Sequence, residues 1–146
     1  MLDVAGREAV AVAAVVDVAL HGAAGPVGGA AIADRLGQNP RGLEPILQAL
    51  SRAGILASSR GRRGGYRLAR ARREITAGAI LRAIAEDDAD AATLAPMLRA
   101  VIAPAWREAR AKALAALDSI TVERLAREAA AAGLAPPPDV PITYAI

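Results

Sequence analysis

"QNPRGLEPILQALSRAG", residues 38–54, carries the marks of one short helix with both ends specified. Asn39 suits an N-cap, because its side-chain oxygen can accept from an amide of the first turn. Pro40 then falls at the first helical position, where a missing N–H leaves nothing unpaired. Leu43, Ile46, Leu47 and Leu50 follow at i, i+3, i+4 and i+7, a single apolar stripe. Gly54 supplies the stop. Pro45 breaks the pattern, since inside a helix it removes one backbone bond and bends the first turn. Either the helix begins later than Pro40, or its exposed first turn is built differently from the rest.

On the N-terminal side, "VGGAAIADRLG" (27–37) holds Ile32 and Leu36 four apart with small Ala33 between them, and closes on Gly37, a natural C′ residue. Two short amphipathic helices joined by a glycine-containing turn make a helix-turn-helix candidate. Ahead of them a first helix is expected from about Gly6 to His21, apolar on most of its circumference and therefore buried. "GAAGPVGG" (22–29) breaks that helix. No strand precedes these loosely spaced glycines, so a plain loop is favoured over a dinucleotide fingerprint. His21, the only histidine, sits at the helix end, where a favourable dipole contact accounts for it.

On the C-terminal side, "ILASSRGRRGGYRLA" (55–69) reads as a hairpin. Ile55, Leu56, Tyr66 and Leu68 supply apolar contacts, and Gly61, Gly64 and Gly65 permit the positive φ of a tight or bulged turn. From Arg52 to Arg73 there are eight arginines and no Asp or Glu, a field better suited to an anionic polymer than to a small substrate. Taken alone, such a run is most simply a solvated charged face. "REITAGAILRAIAED" (73–87) follows as a helix with Thr76 as N-cap and Ile75 and Ile80 at the hydrophobic-staple positions.

Glu86–Asp90 reads as an acidic linker, because its acids lack the spacing of an EF-hand loop. Leu94, Met97, Leu98 and Val101 share one face before Pro104 interrupts. A long helix from about Ala105 to Leu117 then carries Trp106, Ala109, Ala113 and Leu117 at spacings of three or four. A final helix starts after Thr121, with Val122, Leu125 and Ala129 inward and Gly133 closing it, and "LAPPPDVP" (134–141) is an extended tail. The expected organisation is a DNA-binding unit over 1–85, a linker over 86–93, a helical dimerisation region over 94–133 and a Pro-rich tail over 134–146.

Composition agrees with a mainly α protein carrying a small β-hairpin. More than half of the 146 residues are apolar, yet there is no Phe, one Trp and two Tyr, so the core must come from closely approaching helices. The net charge is +3, and Lys112 is the only lysine among the basic residues. Cysteine is absent, which removes disulfides, thiolate zinc sites, cysteine nucleophiles and cysteine-ligated iron–sulfur clusters together. It also fits a reducing cytosol, so a cytoplasmic location is expected. The apolar run Ala9–Val16 is stopped by Asp17, too short to span a bilayer and with no basic region before it, so no membrane association is expected.

A helix, a helix-turn-helix and a basic hairpin in that order make a winged helix-turn-helix. Its second helix would enter the major groove, where Arg41 can contact guanine or phosphate and Glu44 can accept from a cytosine amino group. Asn39 caps, and its backbone is also well placed to meet a phosphate. Arg60, Arg62 and Arg63 at the hairpin tip, with Arg67 beyond it, would meet phosphates or the minor groove through planar guanidinium forks. Apolar, alanine-lined faces around Leu94, Val101, Trp106, Ala113 and Leu117 predict a homodimer, because one chain alone would leave them in water. Two rivals stand beside a regulator of double-stranded DNA. One is a regulatory subunit acting mainly through a protein partner, its recognition helix loosened by Gly42 and Pro45. The other, an enzyme using "GRRGG" as a phosphate loop, has no Gly-Lys-Ser/Thr ending, catalytic histidine pair or thiol behind it.

"AAIADRLG", "LEPILQALSRAGIL" and "SSRGRRGGYRLARARREITAGAILRAI" resemble the Rrf-type family of bacterial transcription regulators, from about Val12 to Ala85 and again at "WREARAKALAALDSITVERL". The specific combination is "LE" in the recognition helix, then "RAGIL", then an Arg-Gly pair followed by Gly-Gly-Tyr. The resemblance implies a homodimeric repressor on a palindromic operator, with long C-terminal helices crossing to form the interface. It implies base reading around Arg41 and Glu44 and places Arg60 in the minor groove. Cluster-binding members carry three cysteines before the tryptophan-bearing helix. Counted back from Trp106, those places fall near Ala100, Leu94 and Asp88, none of which is a thiol. No cofactor and no metal is therefore expected, and an unidentified protein or small-molecule effector is left to carry the signal.

Overall fold

The apolar stripe of residues 43–50 is where the chain closes on itself. In the computed structural model, which describes residues 2–86 and 90–137, Leu43, Leu47 and Leu50 are all but inaccessible. They lie in α3 (Pro40–Arg52) and pack with Ala11, Ala14, Val15 and Val18 of α1 (Arg7–His21) and with Ile32 and Ala33 of α2 (Gly29–Arg35). The small α1 residues let the other helices approach closely, as the aromatic-poor composition requires.

Both ends of the helix-turn-helix form as the sequence predicts. Gly37 takes φ +62° while the Gln38 amide donates back to the Ala33 carbonyl at 2.8 Å. Gly54 takes φ +73° while the Ile55 amide donates to the Leu50 carbonyl at 3.0 Å. The Asn39 side chain accepts from the Arg41 amide at 2.9 Å, and α3 starts at Pro40 rather than later. Pro45 and Gly42 leave it unbroken. The carbonyl deprived of a partner by Pro45 is that of Arg41, on an exposed first turn where water can reach it.

The hairpin is an antiparallel pair, β1 (Leu56–Ser59) and β2 (Gly65–Leu68), in the register Leu56↔Leu68 to Ser59↔Gly65. Its glycines serve two purposes rather than the single one expected. Only Gly61 has a positive φ, +104°, within the turn. At Gly64 a Cβ would lie 2.5 Å from the Ser59 carbonyl oxygen, and at Gly65 one would lie 2.5 Å from that of Val27, so these two permit close backbone approach. The second approach is a bridge that the plain-loop expectation for 22–29 missed. Val27 and Tyr66 exchange both backbone bonds at 2.8 Å, pinning the wing to the segment before α2.

α4 (Ala77–Ile84) begins as expected, with Thr76 accepting from the Ala79 amide at 3.1 Å and Ile75 and Ile80 fully buried. Pro104 does not interrupt the helix that follows. It lies in the first turn of α5 (Ala103–Leu117), and a π-helical turn over Leu98–Ile102 leads straight into it. The wider turn absorbs the missing proline amide. α6 (Val122–Ala131) starts at its Thr121 cap and buries Val122 and Ala126, while Leu125 and Ala129 are half-buried. Its start is stitched to that of α4, the Ala77 amide donating to Ile120 at 2.8 Å and the Val122 amide to Ile75 at 2.9 Å. Arg82 of α4 grips Asp118 through two hydrogen bonds of 2.6 and 2.9 Å, and the carboxylate packs onto Gly78, where a Cβ would push it aside.

Among the described residues one charge is buried. Asp17 of α1 is 6% exposed and accepts from Arg35 Nε and Nη2 at 2.8 Å each, tying α1 to the end of α2. These bonds hold the Arg35 guanidinium above its ordinary pKa against the opposing effect of burial. His21 stands in the last turn of α1 with Nδ1 3.0 Å from the Asp17 carbonyl oxygen. Residues 87–89 of the expected linker and 138–146 of the expected tail lie outside the described residues.

Candidate nucleic-acid interface

Because α3 buries one stripe, its opposite face must meet solvent, and the hairpin folds up beside that face. Between them lies a cleft of about 550 Å³. Glu44, Gln48, Ser51 and Arg52 line it from α3, and Ser58, Ser59, Arg60, Gly65 and Tyr66 from the hairpin. Two elements that are separate in sequence thus present side chains to one concave surface.

The cleft is rich in hydrogen-bonding groups. Gln48 Nε2 donates to Glu44 Oε1 at 3.3 Å, one turn apart on the helix. Burial pushes the Tyr66 phenol above its ordinary pKa, and the Glu44 charge adds to that, so the hydroxyl remains a neutral donor at physiological pH. Ser51 Oγ is buried without a hydrogen-bond partner among the described residues. Glu44 is the only acid among the lining residues, against Arg52 and Arg60.

Of the residues singled out in the sequence, Glu44 and Arg60 are brought together in this cleft. Arg41 is exposed one turn earlier on α3, and Arg62 and Arg63 are exposed at the hairpin tip. No carboxylate among the described residues holds Arg60, Arg62 or Arg63. The Asn39 side-chain oxygen is occupied by its capping bond. Arg67 is exposed on β2 next to half-buried Tyr66, and alternation along a strand places it on the opposite face of the hairpin, away from the cleft. Gln48 and Arg52 were missed, although their spacing of four and eight residues from Glu44 puts all three on one helical face. Ser58 and Ser59 were missed because they join the cleft only through the strand pairing, opposite Tyr66 and Gly65.

Two arginines of the basic run after the hairpin are engaged within the chain. Arg72 is half-buried and donates to the Ala19 carbonyl near the end of α1 at 2.7 Å, and Arg70 donates to the Gly54 carbonyl at 3.2 Å. Both satisfy carbonyls near helix C-termini, where a cation is favoured. The five residues proposed for a subunit contact also divide. Val101 and Trp106 are exposed and Leu94 is half-buried, whereas Ala113 and Leu117 turn toward Leu81 of α4 in the same chain.

Comparison with known proteins gives this arrangement a context. The family model described as "Rrf2: Iron-dependent Transcriptional regulator" matches residues 6–128. The chain is 34% identical over 124 residues to the HTH-type transcriptional regulator IscR of Photobacterium profundum, covering 81% of this chain and 72% of the relative. Against IscR of Aliivibrio salmonicida it is 45% identical over 76 residues, 52% of this chain but only 45% of the relative's length. The solved structure of T. potens IscR superposes with a TM-score of 0.68 at 32% identity, covering 92% of this chain and 93% of that one. Among the described residues no helix is long and apolar enough to cross a membrane.

Proposed function

The chain belongs to the Rrf2 family, a winged helix-turn-helix transcriptional regulator and not an enzyme, and from that premise we propose that it binds a palindromic operator as a homodimeric repressor. The observation that carries this reading is the shared cleft between α3 and the wing. With α3 in the major groove, Arg41 donates to guanine or phosphate and Glu44 accepts from a cytosine amino group. Gln48 and Arg52 continue the same face one and two turns on. Arg60, Arg62 and Arg63 enter the neighbouring minor groove or clamp its phosphates, and Arg67 reaches phosphate from the outer face of the hairpin. A two-fold dimer matches a two-fold site, with contacts through Leu94, Val101 and Trp106 and support from Ala113 and Leu117 behind them.

The family description raises iron, and the residues of this chain do not fit a thiolate-held cluster. The chain has no cysteine, and Leu94 and Ala100 offer no side-chain donor atom. Among the described residues no group of three or more His, Cys, Asp or Glu could hold a metal ion, and Asp88 lies outside them. The signal this regulator answers is therefore assigned to a protein or small-molecule effector.

Selection of fragments of the source genome on the purified protein, followed by footprinting, tests the proposal. A two-fold symmetric footprint is expected, with half-sites about one helical turn apart or a multiple of it. A promoter reporter carrying that site should rise when the protein is removed. Glu44→Ala should change the preferred base at one position of each half-site, a discrimination of about 1–3 kcal/mol. An absence of enriched fragments, or a Glu44→Ala protein with unaltered preference, contradicts it.

A further inference from the structure

Two residues of α3 have no purpose inside the chain. Gly42 and Pro45 are both poor residues for a helix interior, one for its backbone freedom and the other for its missing amide. Gly42 has no positive φ, and a Cβ placed there would meet nothing within 4 Å. Pro45 is exposed and takes no part in the buried stripe of Leu43, Ile46, Leu47 and Leu50. The packing of the fold accounts for neither.

Their place on the helix does. Gly42, Pro45 and Ala49 follow at i, i+3 and i+7, a smooth strip without a polar side-chain atom. Arg41, Pro45, Gln48 and Arg52, at i, i+4, i+7 and i+11, form an exposed stripe beside it, opposite the buried leucines. Pro45 stands where the two cross, with a cation at either end of the stripe to draw this face onto an anionic polymer. Neither Gly42, Pro45 nor Ala49 lines the cleft, so the smooth strip lies on the flank of α3 away from the wing, while Glu44 lies on the wing side.

The proline ring can neither donate nor accept a hydrogen bond. A base edge with an amino or carbonyl group turned toward it would lose water and gain no partner. The C5-methyl of thymine is the group of the major groove that suits such a surface. We propose that Pro45 is a specificity-determining residue that packs against a thymine methyl, and that Gly42 lacks a side chain so that the strip can come close to that base pair. This rests on the DNA-binding reading above and extends it. Glu44 selects a cytosine by hydrogen bonding on one flank of α3, and Pro45 selects a thymine by apolar contact on the other.

Selected operator fragments in which deoxyuridine replaces thymine, one position at a time, test this by removing the methyl group alone. One such replacement in each half-site, beside the position where Glu44→Ala alters the preference, should weaken binding of the parent about fourfold, as expected for the loss of one buried methyl. Pro45→Gly removes the ring and returns an amide to the helix, and should bind the thymine and deoxyuridine fragments equally. Gly42→Leu, for which the chain itself has room, should keep or raise the melting temperature yet weaken binding about tenfold, the order of one mismatched base pair. A deoxyuridine scan without effect at any position overturns the proposal and leaves the DNA-binding reading standing. So does equal sensitivity in Pro45→Gly and the parent, or parent-like binding by Gly42→Leu. Failure of the parent to bind any fragment overturns both.

Discussion

α1 and α5 are both fifteen-residue, alanine-rich helices, and the fold treats them oppositely. α1 buries Ala11, Ala14, Val15, Asp17, Val18 and Ala19, whereas α5 buries none of its residues. α1 is enclosed by α2, α3, α4, α6 and the hairpin, while α5 packs against α4 along its Ala113–Leu117 side, with Glu8 of α1 facing Arg110. Length and composition therefore do not decide a helix's role. What decides is whether its apolar face finds a partner within the chain, as α1 does, or faces outward with Trp106, as α5 does.

The largest expected effect comes from placing one acid on each helix. Val15→Asp buries an unpaired charge and should cost more than about 4 kcal/mol, enough to unfold a domain of this size. Ala109→Asp, on the exposed side of α5, should stay within about 0.5 kcal/mol by thermal melting of the dilute protein. Equal losses would break the comparison. Next is Asp17→Ala, which strips the bidentate partner from Arg35. A fully buried pair broken this way costs about 3–5 kcal/mol, and the partial exposure of Arg35 reduces that to about 2–3, read by urea denaturation. Trp106→Ala sharpens the contrast from the other side. At a hot-spot aromatic a loss of about 2 kcal/mol raises the dimer dissociation constant roughly thirtyfold, measured by sedimentation equilibrium, while dilute-protein stability hardly moves.

The smallest effect concerns the junction of α4 with α5. Hydrogen bonds from Arg82 hold the Asp118 carboxyl below its ordinary value of 3.8. A depressed carboxylate pKa stabilises the fold above the unfolded value, and that stabilisation is lost as pH falls through the folded one. Arg82→Gln should therefore lessen acid sensitivity below about pH 3.8 and leave the neutral melting curve close to that of the parent. An unaltered acid limb would show that the pair is ornamental.

Much of the head was legible because its rules are local. The cap at Asn39, the proline at 40, the stripe from Leu43 to Leu50 and the glycine stops at 37 and 54 each act within a turn or two. The same locality explains the misses. Nothing within four residues of Val27 announces that it pairs with Tyr66, and nothing near Arg72 announces the Ala19 carbonyl it satisfies. Pro104 obeys a local rule that a π-helical turn sets aside. The candidate site shows the same division: Glu44 and Arg60 could be named from charge and position, whereas Ser58 and Ser59 needed the strand register. Gln48 and Arg52 were within reach of helical periodicity alone.

The central claim is that the α3–wing surface binds DNA and that the tip arginines work there as phosphate or minor-groove cations. Fluorescence anisotropy of a selected operator fragment across a salt series tests it most directly, comparing the parent with Arg60→Ala/Arg63→Ala. The parent's log affinity should fall steeply and linearly with log salt, and the double variant should bind more weakly with a slope shallower by about two. An unchanged slope and affinity in the double variant would contradict the account.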